Sequence, residues 1–238
     1  MPVAAPDRAT NRLIGILSRR NGALLVGQCD LVELRYGETV CEPGRPYRHV
    51  YFPLLGFLSL FTGGAGSSPL EMGLIGSEGM LGATLLLGVD QPPLRGVVQG
   101  AGSALRMPVA KFQRMLLEQA PVAAVMKRYL YVLMCQLFQT AACTCFHSVE
   151  ARLARWLLMT HDRAHADHFH LTHQWLADML GVRRSAITIA AGRLQQRGLI
   201  SYTRGQITIL SRAGLEATTC ECYRKLVDEY AAAFRPEG

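Results

Sequence analysis

Short apolar runs alternate with turn-forming residues along the first half of the chain, from about residue 25 to residue 110. Runs of strand length lie at 49–52, 57–61, 70–75 and 94–100. Gly, Pro and Ser separate them, as in EPGRP at 42–46 and TGGAGSS at 62–68. This spacing predicts an antiparallel sandwich or barrel. A parallel α/β domain would need helical crossovers between the strands, and the pattern contains none here.

A different pattern follows at residues 121–145, which continue without Gly or Pro after Pro121. Pro121 fits the first turn of a helix. Apolar positions surround nearly the whole predicted helix, and the clearly polar ones are Lys127, Arg128, Gln136 and Gln139. Such a helix must be buried on more than one side. Burial within a monomer and burial against a second copy of the chain both satisfy this requirement, and we favour the dimer.

From residue 147 onward the pattern is first helical and then briefly β. Residues 147–159 place Val149, Leu153, Trp156 and Leu157 on one helical face. The run ISYTRGQITIL at 200–210 predicts two short strands that meet at Arg204-Gly205. Residues 214–238 predict one further helix.

The segment LTHQWLADMLGVRRSAITIAAGRLQQRGLI, residues 171–200, has the spacing of a helix-turn-helix. Thr172 fits a helix N-cap, and Gly181 fits the left-handed end of the first helix. Val182 fills the corner between the two helices. The predicted inner faces consist of Leu176, Ala177, Leu180, Ile187, Ala190, Ala191 and Leu194.

Polar residues lie at the start of the second helix, which is the end of a recognition helix that enters the major groove of DNA. Arginine can pair bidentately with guanine, while Ser and Thr reach base edges or phosphates with less selectivity. The start of the first helix and the tip of the hairpin are placed for phosphate or minor-groove contacts. The predicted DNA-binding residues are Thr172, His173, Gln174, Arg183, Arg184, Ser185, Thr188 and Arg204.

The charge distribution points to the same partner. The chain has a net charge of +7, and residues 183–212 contain six arginines and no Asp or Glu. A block of one sign repels itself unless an anion lies against it. An ordinary solvated basic face and a winged helix that docks other proteins are the alternatives.

Several of these segments resemble the Crp/Fnr family of bacterial transcription regulators. LTHQWLADMLGVRRSAIT, RLQQRGLI and TRGQITIL resemble its winged helix, and YGETVCEPGRPYRHVYFP and GLIGSEGMLGATLLLG resemble its β-roll sensor domain. The resemblance implies an α+β fold: an antiparallel β-roll or jelly roll (1–120), a dimerisation helix (121–146) and a winged helix-turn-helix (147–238). It also implies a homodimer that regulates transcription from a palindromic site on double-stranded DNA. A partnership with RNA polymerase is left open.

The resemblance also identifies a candidate effector pocket. In cyclic-AMP-binding members a Gly-Glu pair holds the ribose and an Arg-Ser pair holds the cyclic phosphate. In this chain Met80 lies near the position of the ribose-binding Glu. Arg95 is close to the position of the phosphate-binding Arg but does not align with it. No cofactor is therefore predicted, and a cyclic nucleotide is not expected, although effector control stays open. The candidate pocket residues are Gly76, Glu78, Gly79 and Arg95, with tight turns as the alternative role of the first three.

Two residues of the second helix also depart from the cyclic-AMP type. Ser185 replaces an acidic residue and Ile189 replaces a basic contact. We therefore expect an operator sequence different from that of the cyclic-AMP type.

The cysteines and histidines are the remaining candidates for chemistry. Neither Cys143-Thr-Cys145 nor Cys220-Glu-Cys222 has the two-residue gap usual in zinc or redox pairs, so the seven cysteines are predicted to be reduced, mostly buried thiols. Five of the seven histidines lie within residues 161–173. They predict a polar loop, with adventitious metal affinity as the alternative, and no metal site is predicted. Protonation of His173 would make phosphate affinity pH-dependent.

The sequence lacks the motifs of common enzymes and of secreted or membrane proteins. GSEG and GGAGSS lack the lysine and spacing of a phosphate-binding loop, and neither a GxSxG elbow nor a zinc-protease motif occurs. We therefore expect no catalytic residues and no enzyme activity. No uninterrupted apolar run reaches about 18 residues, and the first residues lack the layout of a signal peptide. We expect a soluble, cytoplasmic protein with no membrane partner.

Overall fold

The computed structural model describes residues 11–62, 69–164 and 166–235. The helices are α1 (Arg12–Ile16), α2 (Arg19–Val26), α3 (Val109–Glu118), α4 (Ala120–Phe146), α5 (Val149–Ala164), α6 (His173–Leu180), α7 (Arg184–Gln196), α8 (Arg212–Thr218) and α9 (Cys222–Ala233). The strands are β1 (Asp30–Leu34), β2 (Thr39–Cys41), β3 (His49–Thr62), β4 (Leu70–Ile75), β5 (Arg95–Pro108), β6 (His168–His170), β7 (Ile200–Thr203) and β8 (Gln206–Ile209). A 3-10 turn spans Ala83–Leu87.

The chain divides into two compact units. The described residues of 1–58 and 75–130 belong to one unit, and the described residues of 59–74 and 131–238 belong to the other. Strand β3 and helix α4 each contribute residues to both units.

The larger sheet has the strand order β1-β5-β3-β4, with β2 also paired to β5. Strand β1 runs antiparallel to β5, from Asp30 opposite Arg106 to Leu34 opposite Gly102. The side chains of Phe52 and Phe112 meet edge to face in the core, with ring centroids 6.3 Å apart. The α+β class and the antiparallel sheet predicted from the sequence are confirmed.

The two apolar runs at 49–52 and 57–61 form one strand, β3, instead of two. Gly56 lies between them with φ 76°, so the strand bends without ending. A Cβ atom at Gly56 would lie 2.3 Å from the carbonyl oxygen of Gly100, so only glycine allows this close approach of β3 and β5.

Helix α4 begins one residue before the predicted start and is apolar on its exposed surface as well as its buried one. Val122, Met126 and Val132 are buried, whereas Tyr131, Met134, Phe138 and Phe146 are exposed. Within the described ranges α4 alone is long and apolar enough to cross a membrane, by length and composition only. Tyr131, Met134 and Phe138 are separated by steps of three and four residues, the spacing of a helix–helix seam.

In the second unit, α5 packs against α7 and α8, and its residues from Arg152 to Thr160 are all buried. Strands β6, β8 and β7 form a small sheet in that order. Within the histidine-rich segment, which was interpreted as a loop, His168–His170 form the edge strand β6, in which Phe169 lies opposite Ile207. The alternation of His168, Phe169 and His170 explains this, because one apolar residue between two polar ones suits a half-buried edge.

The end of the chain also differs from the single helix that the pattern predicted. It forms α8 and α9, separated by residues 219–221. Thr219 has an extended backbone (φ −67°, ψ 158°) after Thr218, and β-branched residues are weak helix formers.

Candidate nucleic-acid interface

The two helices of the predicted helix-turn-helix are held by local backbone caps. Thr172 Oγ1 accepts a hydrogen bond from the backbone N–H of Trp175 at 3.1 Å, as an N-cap does. Gly181 has φ 61°, and the N–H of Val182 donates to the carbonyl of Ala177 at 2.9 Å. This is the hydrogen-bond pattern of a glycine-terminated helix end. The helix boundaries expected from Thr172 and Gly181 are confirmed.

A buried arginine also holds the first of these helices. Arg152 of α5 donates from Nη2 to the carbonyl oxygen of Leu180, the last residue of α6. A cation at a helix C-terminus is favourable because the terminal carbonyls carry partial negative charge. Burial lowers the pKa of Arg152. No sequence signal connected these two residues, which are 28 positions apart.

Helix α7 separates its residues into an inner and an outer face. Ile187, Ala190, Ala191 and Leu194 are buried, as predicted. The outer residues at its start are exposed: Arg183, Arg184, Ser185, Thr188 and Ile189. Ile189, which stands where the cyclic-AMP type has a basic residue, is 58% exposed. An exposed apolar side chain beside four polar ones fits the edge of a base pair that carries a thymine methyl group.

The six arginines of residues 183–212 fall into two groups. Glu150 of α5 lies 3.1 Å from Arg197 and 3.6 Å from Arg193, and Arg212 lies 2.7 Å from Asp162 and 2.9 Å from Glu216. Arg183, Arg184 and Arg204 are exposed and have no acidic partner in the part of the chain that the structure describes. The sequence predicted that all six arginines need an external anion, because residues 183–212 contain no acid. For three of them this is wrong, since acidic residues of α5 and α8 neutralise their charge.

His173 lies between the recognition helix and the hairpin. Its ring stacks on Tyr202 with centroids 4.4 Å apart, and its Nδ1 is 3.0 Å from Thr188 Oγ1. Burial and, next, the charge of Arg184 lower the pKa of His173. His173 therefore orients Thr188 and Tyr202, although a phosphate contact was predicted for it. Gln174, which was also predicted to contact phosphate, is exposed and donates to Asp178 at 2.9 Å.

The hairpin β7–β8 ends in the two-residue turn Arg204-Gly205. Thr203 pairs with Gln206, and the turn residues have φ of 50° and 82°. Positive φ at both positions is the type I′ arrangement that matches the strand twist. The exposed Arg204 side chain is therefore carried at the tip of a regular hairpin.

Residues 151–218 match the family described as the Crp-like helix-turn-helix domain. The chain carries a Crp-type DNA-binding domain. The resemblance of the sequence to the Crp/Fnr family of transcription regulators is thereby confirmed for the part that reads DNA in that family.

Known structures extend this likeness to the fold of most of the chain. A transcriptional regulator of the Crp/Fnr family from Eubacterium rectale aligns with TM-score 0.68 and 18% identity, covering 87% of this chain and 96% of that one. FixK2 from Bradyrhizobium japonicum aligns with TM-score 0.67 and 15% identity, covering 81% and 98%. The c-di-GMP-responsive global regulator CLP of Xanthomonas campestris aligns with TM-score 0.66 and 17% identity, covering 82% and 100%. No curated protein matches the chain in sequence.

The residues aligned with the Crp/Fnr effector region form a turn. The N–H of Gly79 donates to the carbonyl of Gly76 at 3.0 Å, and the N–H of Gly76 donates to Glu78 Oε1 at 3.2 Å. Arg95 begins β5 and is half-buried. Met80, near the position of the ribose-binding Glu of cyclic-AMP-binding members, is fully buried. The structure thus brings Gly76, Glu78 and Gly79 into one turn, which the buried Met80 follows directly.

The histidines of residues 161–173 are not gathered around one point. His161 contacts Asp167 at 2.7 Å and Arg212 at 2.8 Å, while His168 and His170 lie on β6. His165 lies outside the described residues. A different group, Cys143, His147, Cys220 and Cys222, places potential metal-ligand atoms together. Sequence spacing did not connect these residues, because the pair Cys143 and His147 lies more than 70 residues from the pair Cys220 and Cys222.

Proposed function

We propose that the chain regulates transcription by binding a palindromic operator as a homodimer, with α7 of each copy in the major groove. The observation that carries this proposal is the division of the arginines. Glu150, Asp162 and Glu216 neutralise three of them, while Arg183, Arg184 and Arg204 face solvent at the two places where a winged helix meets DNA.

The exposed residues at the start of α7 have separate roles in this proposal. Arg184 pairs with a guanine, which contributes about 1–3 kcal/mol of discrimination against a wrong base. Ile189 packs against a thymine methyl group, and Ser185 and Thr188 contact base edges or phosphates. Arg204, Thr172 and Gln174 contact the phosphate backbone, whereas His173, whose Nε2 is buried and whose Nδ1 faces Thr188, positions Thr188 instead of contacting phosphate as the sequence predicted. An Arg–Ser–Ile surface differs from the cyclic-AMP type, so the operator differs as well.

The proposed dimer uses the exposed apolar residues of α4, Tyr131, Met134 and Phe138. A second copy would remove this surface from water, which favours association roughly in proportion to the apolar area buried. Two copies place their recognition helices about 34 Å apart, so the operator half-sites should be about one turn of DNA apart. The cytoplasm, where operator DNA and RNA polymerase are found, is the expected location.

The proposal includes control by an effector that acts on the Gly76–Gly79 turn and Arg95. CLP of Xanthomonas campestris is described as c-di-GMP-responsive. In this chain the buried Met80 argues against a cyclic AMP ribose at the corresponding place. The identity of the effector is not part of the proposal.

Selection of duplexes from a random pool by the full-length chain tests the proposal. We expect enrichment of an inverted repeat whose half-sites are centred about 10 base pairs apart, with an affinity that falls steeply as salt increases. Enrichment of no sequence, with binding that salt does not weaken, would instead support a helix-turn-helix that docks other proteins.

A further inference from the structure

Three thiols and one imidazole from distant parts of the chain meet beside the end of α4. Cys143 lies in the last turn of α4, and His147 follows that helix directly. Cys220 lies in the break between α8 and α9, and Cys222 begins α9. One potential ligand atom from each of the four residues lies within 4.8 Å of every other.

Two separations within this Cys3His cluster are close to those of a tetrahedral metal site. The sulfur atoms of Cys143 and Cys220 are 3.5 Å apart, and Cys222 Sγ is 3.3 Å from His147 Nδ1. Zinc bonds of about 2.3 Å to sulfur and about 2.0 Å to nitrogen place tetrahedral ligand atoms roughly 3.5–3.8 Å from one another. The thiols are free, and a disulfide would require the two sulfurs to be about 2.05 Å apart.

Outer contacts orient the cluster as they do in metal sites. Glu221 Oε2 is 3.4 Å from His147 Nε2, on the side of the ring opposite the thiols. A carboxylate at Nε2 keeps the proton on that nitrogen and leaves Nδ1 free to bind a metal. The side-chain amide of Gln139 donates to Cys222 Sγ at 2.9 Å, which would stabilise a bound thiolate.

Burial and donor type indicate which metal would bind. Cys143 is 1% exposed and Cys222 is fully buried, whereas His147 and Cys220 are partly exposed. Four protein donors leave no open position for a substrate, which is typical of structural zinc sites. Thiolate-rich sites also favour soft ions over Mg²⁺ or Ca²⁺.

We propose that the Cys3His cluster is a structural zinc site that clamps the start of α9 to the end of α4. The ligands lie on both sides of the helix-turn-helix domain in the chain, since Cys143 and Cys220 are 77 positions apart. Zinc therefore closes a loop that contains the whole DNA-binding domain, and closing a long loop stabilises the folded state. None of the four ligands belongs to the proposed DNA surface, so the two proposals can fail separately.

Cobalt titration of the reduced full-length chain tests this site, because tetrahedral Co²⁺ bound to thiolates absorbs strongly in the visible and near-ultraviolet. We expect one Co²⁺ per chain, displacement by one Zn²⁺, and slower hydrogen exchange in α9 when either ion is bound. A chain that binds neither ion, or a cobalt spectrum without the sulfur-to-metal band, would overturn the proposal.

Matched variants separate the cluster from other cysteines and histidines. Cys143→Ser and Cys222→Ser should each weaken and shift the sulfur-to-cobalt band and lower the cobalt affinity, because two thiolates remain, and Glu221→Ala should weaken zinc binding roughly 10- to 100-fold. Cys145→Ser changes an exposed thiol two residues from Cys143 and should leave the spectrum unchanged, as should His168→Ala in the histidine-rich segment. Equal cobalt binding by Cys143→Ser and the wild type would contradict the assignment.

Zinc K-edge absorption on the wild-type chain covers the case in which a cluster variant fails to fold. It should report three sulfur neighbours and one nitrogen neighbour. A shell of nitrogen and oxygen alone, or a chain that instead forms a reversible Cys143–Cys220 disulfide without binding metal, would overturn the proposal.

Discussion

The indole N–H of Trp156 donates to the carboxylate of Glu71 at 2.7 Å, and both side chains are buried. Burial raises the pKa of Glu71 to about 7, and the hydrogen bond from Trp156 and the charges of Arg155 and Arg163 only partly offset it. The folded chain therefore binds a proton at Glu71 at pH values where the unfolded chain has released it. Such a difference makes stability depend on pH.

Glu71→Gln should remove this dependence while keeping an acceptor for Trp156. In the wild type this group should lower the free energy of unfolding as pH rises from about 4.5 to about 7, by at most about 1.4 kcal/mol per pH unit. As pH rises from 5 to 8, the free energy of unfolding of the variant should therefore increase relative to that of the wild type. Urea unfolding across this range measures it, with the exposed Glu118→Gln as a control that should follow the wild type. If the free energies of unfolding of Glu71→Gln and the wild type change with pH in the same way, the pKa of Glu71 is not raised by burial.

Arg204→Asn should separate the charge of the hairpin tip from its backbone conformation. Arg204 has φ 50°, a region that Asn adopts more readily than most residues. The variant should fold with equal or greater stability, and its binding to any duplex should lose about one unit from the slope of log affinity against log salt. Titrations at several salt concentrations measure this slope. An unchanged slope would mean that Arg204 does not contact phosphate.

Phe138→Glu should convert the proposed dimer into a monomer. Phe138 is 64% exposed on α4, and a charge there would have to be buried without a partner in a helix–helix seam. Light scattering should report two chains per particle for the wild type and one for the variant. Leu117→Glu, at an 89% exposed position on α3, is the control and should stay dimeric. A wild-type chain that is already monomeric would contradict the proposal that α4 forms a dimer interface.

The His173 ring should titrate below its ordinary pKa of about 6.5 in the free chain. The unfolded chain binds this proton at a higher pH, so acidification through the window below about 6.5 should lower stability. Removing the nearby charge with Arg184→Ala should raise the pKa of His173 toward its ordinary value, as NMR of the ring protons can measure. The affinity for DNA should not change between pH 7 and pH 8, because His173 is already neutral there. If the affinity instead changes with a midpoint in that interval, a group other than His173 is responsible.

The features that the sequence predicted well are local ones. Thr172, Ala177, Gly181 and Ile187 lie within sixteen residues, and caps, close packing and backbone freedom act over that distance. The pairing of Glu150 with Arg193 and Arg197 connects residues more than 40 positions apart, and Glu71 and Trp156 are 85 apart. The periodicity of apolar and polar residues along the chain does not predict contacts between residues so far apart. The Cys3His cluster could not be predicted from the sequence for the same reason. Its cysteines also lack the spacing of a local metal-binding motif.

The most direct test of the central claim compares Arg184→Ala with Arg193→Ala on a selected operator duplex and on the same duplex with one half-site base pair changed. Arg184 faces solvent at the start of α7, whereas Arg193 is paired with Glu150 on the same helix. We predict that Arg184→Ala loses about 1–3 kcal/mol of discrimination at one position of each half-site, while Arg193→Ala keeps the wild-type preference. Sequence preference that survives Arg184→Ala unchanged would contradict the account.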